Sequence, residues 1–199
     1  MSHHTWAHRF VGLAVRPLAR TRVTPNQITA LRLATGLAAA VALAGGLFHI
    51  GAALWLGSML CDRADGMLAR LTGKTTPWGH KFDLVSDFLA TGLLFVGLGA
   101  GLRGGGLGDW AIVMGVAASF SVCLIFWFVQ IIDARLPANI TAVPGTAGFD
   151  ADDTLFMVAP LIWLGWAEEF LIAASIGAPI ALVITMIALW RVAWRRRNL

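Results

Sequence analysis

Tyrosine is absent from this chain, cysteine occurs twice, and only 13% of the residues are charged against 58% hydrophobic. Cys61 and Cys123 both lie inside apolar runs, which excludes a disulfide framework or a Cys-x-x-Cys metal site and leaves them as small helix residues. The shortage of charge excludes more. With a mean hydropathy of +0.74 over 199 residues, a water-soluble domain would have too little interior to hide its apolar surface. Lipid has to be the solvent for much of it. The N-terminal segment carries Arg9, Arg16 and Arg20 and no compact apolar core ending in a small-residue site, so no cleavable leader is expected.

The balance of charge is basic, +4 with a pI near 10.0, yet its distribution argues against nucleic acid as a partner. Arg9, Arg16, Arg20 and Arg22 precede the first apolar run, and Arg195, Arg196 and Arg197 follow the last. That is the juxtamembrane pattern of the positive-inside rule. Residues 3–18 mix Trp6, Phe10, Val11, Leu13 and Val15 with His4, His8, Arg9 and Arg16, which reads as an amphipathic helix on the membrane surface rather than a histidine metal site.

The fold expected is all-α: one membrane-embedded domain over 1–199, a bundle of six transmembrane helices behind that surface helix. Thr24-Pro25-Asn26 starts the first span, with Thr24 as N-cap and Pro25 at the first helical position. The spans are placed at about 25–45, 50–71, 79–102, 109–132, 152–166 and 170–194. Gly46-Leu47-Phe48-His49, residues 104–108 and Glu168-Glu169 serve as returns. Lys74, Lys81, Arg135 and the terminal arginines fall on one side and little basic charge on the other, so termini and polar loops are expected in the cytoplasm, in a bacterial inner membrane. Trp163, Trp166, Trp190 and Trp194 read as interfacial belt residues, and the Gly97/Gly101 spacing as a packing or dimerisation cue.

Carboxylates inside spans cost roughly 2.5–3.5 kcal/mol each, so four together need a reason. Asp62 and Asp65 lie three apart, and Asp83 and Asp87 four apart, on two helices joined by a short loop. At about 100° per residue, Asp62, Asp65, Gly66, Ala69 and Arg70 share one stripe, and Gly79, Asp83 and Asp87 share another. A hairpin closing at the loop points both stripes into one pocket at the membrane edge. Four carboxylates so close cannot all stay ionised unaided. Hard oxygen ligands without His or Cys favour Mg²⁺ or Mn²⁺ and, with them, a phosphorylated substrate. Gly66 and Gly79 leave room for a pyrophosphate near backbone, and Arg70 and Lys81 offer it cations. A purely structural network of these acids with Arg63, Arg70 and Lys81 would need neither the small residues nor the spacing.

Asp62-x-x-Asp65-Gly66-x-x-Ala69-Arg70 followed by Gly79-x-x-x-Asp83-x-x-x-Asp87 resembles the signature of the CDP-alcohol phosphotransferases at every fixed position. The six expected spans, the surface helix and the Thr24-Pro25-Asn26 opening extend the resemblance over nearly the whole chain. It implies that Asp62, Asp65, Asp83 and Asp87 bind two metal ions, Mg²⁺ or Mn²⁺, beside a CDP diphosphate. Gly66, Ala69, Arg70 and Gly79 would shape the nucleotide site, and Asn26 and Arg32 would contact nucleotide or phosphate. Asp87 would also act as general base on the acceptor hydroxyl, which attacks the β-phosphorus and releases CMP. The partners implied are a CDP-linked lipid donor, an alcohol acceptor, membrane lipids and, as often in the family, a second copy of the chain.

Asp150, Asp152 and Asp153 either cap the fifth helix or, with Arg135, line an acceptor pocket. The scarcity of basic residues points towards a neutral or amine-bearing alcohol rather than inositol phosphate. Competing readings are a CDP-choline or CDP-ethanolamine phosphotransferase acting on diacylglycerol, an intramembrane prenyltransferase and a small ion-coupled transporter. The prenyltransferases are longer and separate their acidic motifs; a transporter wants charge near the midplane and broken helices.

Overall fold

A computed structural model describes residues 15–135 and 153–197, and every regular element in them is helical. The helices are α1 (Pro25–Ala44), α2 (Phe48–Thr72), α3 (Pro77–Leu102), α4 (Trp110–Arg135), α5 (Asp153–Phe156), α6 (Val158–Trp163) and α7 (Ala167–Arg197). Most of the surface segment expected over 3–18 lies outside the described residues, as do Asp150 and Asp152. From Val15 to Leu18 the chain is helical, and Val15 is fully buried against Ile28 and Leu68.

The signal at Thr24-Pro25 works as expected: Pro25 occupies the first turn of α1, and the Thr24 N–H donates to Gln27 Oε1 at 3.0 Å. The same chemistry opens α3, where Thr76 Oγ1 accepts from the Gly79 N–H at 3.0 Å and Pro77 follows. Pro77 thus begins a helix instead of sitting in the loop. At the end of α1 the Leu47 and Gly46 N–H groups bond the Ala42 and Leu43 carbonyls, a Schellman arrangement that needs the left-handed φ of 77° at Gly46. With the turn closed there, Phe48 and His49 belong to α2 rather than to the return. Glu168 and Glu169 likewise move from a return into the first turn of α7, where their charge complements the helix dipole. The turn is made by Leu164–Trp166.

Helix α1 lies between α2 and α3 and packs closely on both; α4 covers α3, α7 packs on α4, and α6 lies against α2. Trp55, Leu43, Leu94 and Leu98 are fully buried at the centre. The close approach is possible because Gly97 and Gly101 of α3 sit on the Ala40 and Leu43 carbonyls of α1, where any Cβ would collide. Their small-residue spacing is spent within this bundle. By contrast, α4 and α7 leave Val113, Val116, Phe120, Ile176, Ile180, Val183 and Ile184 exposed. Such faces suit hydrocarbon.

Among the described residues, four helices are long and apolar enough to cross a membrane: Pro25–Ala44, Pro77–Leu102, Trp110–Gln130 and Ala167–Ile187. This is a membrane protein with an all-helical bundle, but six spans are not what the helices themselves show. The 25 residues of α2 reach about 37 Å, but Asp62, Arg63, Asp65 and Arg70 occupy its C-terminal half and leave no apolar stretch of spanning length. In the fifth segment the apolar helix Thr154–Trp163 breaks at Met157, and ten residues rise only about 15 Å, half the hydrocarbon thickness.

Candidate metal and phosphate site

Asp62 and Asp65 project from α2, and Asp83 and Asp87 from α3, as the helical spacing requires. The Gly73 αL cap, with φ of 65°, ends α2 and lets residues 74–76 turn the chain back into α3. Three of the four acids converge: one oxygen each of Asp62, Asp83 and Asp87 lie within 4.8 Å of one another. Asp65 points elsewhere. It is 4% exposed, and its Oδ2 accepts a 2.7 Å hydrogen bond from Thr29 Oγ1 of α1.

Arg32 stands behind the three convergent carboxylates. Its guanidinium, 1% exposed, places Nη1 2.9 Å from both Asp62 Oδ1 and Asp83 Oδ1 and pairs Nη2 with Asp87 Oδ1. Ser58 of α2 donates to the Arg32 carbonyl at 2.9 Å, fixing that turn of α1 against α2. The three acids are each about a third exposed, so only one side of the cluster is sealed by protein. Oxygen spacing of this order, from carboxylates alone, suits Mg²⁺ or Mn²⁺ with bond lengths of about 2.0–2.2 Å. The residues fit a hard divalent ion.

Two cavities meet at this cluster. The first, about 230 Å³, opens between the start of α1, the C-terminal half of α2 and the start of α3. Asn26, Asp65, Gly66, Ala69, Arg70 and Gly79 line it, together with Thr29, Lys74, His80 and Asp83. A Cβ on Gly79 would come within 2.9 Å of Asn26 Oδ1, so glycine there lets Asn26 reach the cavity wall. A Cβ on Gly66 would meet nothing nearer than Arg70 Nη2 at 3.9 Å; it would project into the empty space itself. The second cavity, about 200 Å³, is bounded by Met59, Asp62, Arg63, Asp83, Asp87, Phe126, Leu155 and Phe156. Asp83 borders both. Arg63 lies over the Phe156 ring, 5.0 Å from its centroid, in cation–π geometry.

The sequence-predicted site residues therefore separate into groups. Asp62, Asp83 and Asp87 come together; Asp65, Gly66, Ala69, Arg70, Gly79 and Asn26 surround the first cavity. Arg32 borders neither cavity, and Lys81 is exposed and lines neither. Asp152 lies outside the described residues, while Arg135 and Asp153 are placed only as the last residue of α4 and the first of α5. Sequence reasoning overlooked Thr29, Ser58 and Phe126, and weighed Arg63 only as an ion-pair partner of the acids. A signal existed for the first: Asn26, Thr29, Arg32 and Thr35 recur every three residues along α1 as a polar stripe.

Residues 22–194 match the family model of the CDP-alcohol phosphatidyltransferases. Over 188 residues, 92% of the chain, the sequence is 24% identical to a bifunctional IPC transferase and DIPP synthase from Aquifex aeolicus, covering 43% of that protein. A protein of the same name from Rubrobacter xylanophilus is 36% identical over 88 residues, 43% of the chain and 20% of the relative. The chain thus spans less than half the length of these curated relatives.

Proposed function

This chain belongs to the CDP-alcohol phosphatidyltransferase family, and from that premise we propose that it transfers a phosphatidyl group from CDP-diacylglycerol to an alcohol with release of CMP. The observation that carries the reading is the position of Asp83, shared by two cavities on either side of a carboxylate cluster. Group transfer needs a donor and an acceptor to meet at one phosphorus, each from its own side.

The first cavity takes the CDP end of the donor. Asn26, Gly66, Ala69 and Gly79 shape it around nucleotide and diphosphate, and Arg70 supplies a cation for phosphate oxygen. Asp62, Asp83 and Asp87 from their cluster, and Asp65 from the first cavity that it lines, would hold two divalent ions, Mg²⁺ or Mn²⁺. Bound there, such ions supply positive charge to the attacking and leaving oxygens of the displacement. The second cavity takes the acceptor. Asp87 borders it and not the first, the side a general base must occupy to receive the hydroxyl proton. The acceptor oxygen then bonds to the β-phosphorus as the bond to the bridging oxygen breaks, and CMP leaves.

Arg63 is the one cation among the described residues lining the second cavity, beside three carboxylates. That balance favours a neutral or amine-bearing alcohol. A site on the charged half of α2 suits a membrane edge, and the distribution of Lys and Arg supports the cytoplasmic edge, in a bacterial inner membrane. In that setting α2 and the fifth segment complete six spans with their polar ends at the rim.

The test is CMP release by purified protein from CDP-diacylglycerol with a panel of radiolabelled alcohols, run with and without EDTA. Release that needs one acceptor and stops on chelation supports the reading. Release that continues in EDTA, or CDP-choline serving as donor in place of CDP-diacylglycerol, overturns it.

A further inference from the structure

The cation the carboxylates already have is Arg32. It is sealed from solvent at 1% exposure, borders neither cavity, and engages one oxygen from each of Asp62, Asp83 and Asp87. Its Nε is buried with no hydrogen-bond partner. Ser58 holds its backbone carbonyl, and Gly36, one turn on, is packed against Ala90 so tightly that a Cβ would lie 2.7 Å from the alanine Cβ. A side chain enclosed in this way keeps its charge in the cluster when ligands arrive in the cavities.

We infer that Arg32 is a positioning residue that couples the ions of the cage to the donor: its fixed positive charge makes full occupancy by divalent ions depend on the donor's diphosphate. The inference rests on the reading of the four aspartates as a two-ion site. Four carboxylates alone would balance two divalent ions charge for charge. With the guanidinium among them, the doubly loaded cage keeps one positive charge, which repels the second ion and attracts an anion at the neighbouring cavity. A diphosphate entering there relieves the excess. Ion and donor therefore strengthen each other's binding, and by linkage the factor is the same in both directions. Arg32 also sets geometry. By holding one oxygen of each of Asp62, Asp83 and Asp87 it orients their carboxylates, the arrangement in which ligating carboxylates are themselves held by an outer partner.

The experiment measures Mn²⁺ binding by electron paramagnetic resonance on the full chain in lipid nanodiscs, with and without CDP, corrected for ions held by free CDP. The wild-type protein should bind one ion tightly alone and a second at least about tenfold more tightly with CDP. Arg32→Met should bind two ions without CDP and lose the coupling to within about threefold. Arg32→Lys keeps the charge without the fork and should retain the coupling even if both affinities weaken, which also serves if the methionine variant fails to fold. Two tight ions on the wild type without CDP, undiminished coupling in Arg32→Met, or coupling lost in Arg32→Lys would each overturn the inference. Wild-type protein that binds neither Mn²⁺ nor CDP would instead overturn the functional reading beneath it.

Discussion

Thr29 and Asp65, 36 positions apart, are joined by a 2.7 Å hydrogen bond that ties the first turns of α1 to the charged half of α2. Both side chains are almost fully buried. The bond explains why Asp65 stands apart from the cluster of the other three acids, and it gives a nearly buried carboxylate a donor. Thr29→Val keeps the shape and removes the donor, so it should lower stability by about 1–3 kcal/mol. Thermal unfolding in detergent of Thr29→Val, Asp65→Asn and the double variant checks this. Additive effects would show that the pair does not interact.

Asp87→Asn preserves volume and can still face Arg32, but it cannot accept a proton. CMP release should fall by about 10²–10⁴-fold, while CDP binding measured without divalent ions, which belongs to the other cavity, changes little. A variant that loses CDP affinity in proportion to its rate would place Asp87 on the donor side.

Two glycines should respond in opposite ways. A Cβ on Gly66 finds open space, with Arg70 Nη2 at 3.9 Å its nearest neighbour. Gly66→Ala should therefore unfold at the wild-type temperature yet bind CDP at least about tenfold more weakly, a loss of about 1.4 kcal/mol. Gly36 has no such room, since its Cβ would lie 2.7 Å from Ala90 Cβ and 3.1 Å from Ser58 Oγ. Gly36→Leu should destabilise by about 1–3 kcal/mol or more by forcing α1 from α3. Equal stability losses in the two variants would remove the distinction between a glycine kept for ligand and one kept for packing.

Trp55 is fully buried, and its Nε1 donates to the Leu155 carbonyl at 2.9 Å, a direct tie between α2 and α5. Leu155 and Phe156 wall the second cavity. Trp55→Phe leaves that carbonyl unsatisfied and should cost about 1–3 kcal/mol. Its kinetic signature should be a raised KM for the acceptor with the donor KM unchanged. A change confined to the donor would contradict the division of the cavities.

Helices and motif were legible because their signals are local. Thr24-Pro25 opens α1, and the same pair at Thr76-Pro77 opens α3, two residues before the expected start at 79. The two spans that the helices do not establish are those where hydropathy alone decides little: α2 has spanning length but a charged half, and the fifth segment bends at Met157 near Pro160.

Taken alone, the chain determined its solvent, its helical class and the two acidic stripes, because hydropathy and a 3.6-residue period depend only on order along the backbone. Tertiary structure decided which acids meet. Asp65 turns to Thr29, Arg32 enters the cluster that Asp62, Asp83 and Asp87 form, and Asp83 becomes the wall between two cavities. Those relations depend on how closely α1 approaches α2 and α3. That distance is set by Gly36, Gly97 and Gly101 packing against residues far away in sequence, and no periodicity encodes it.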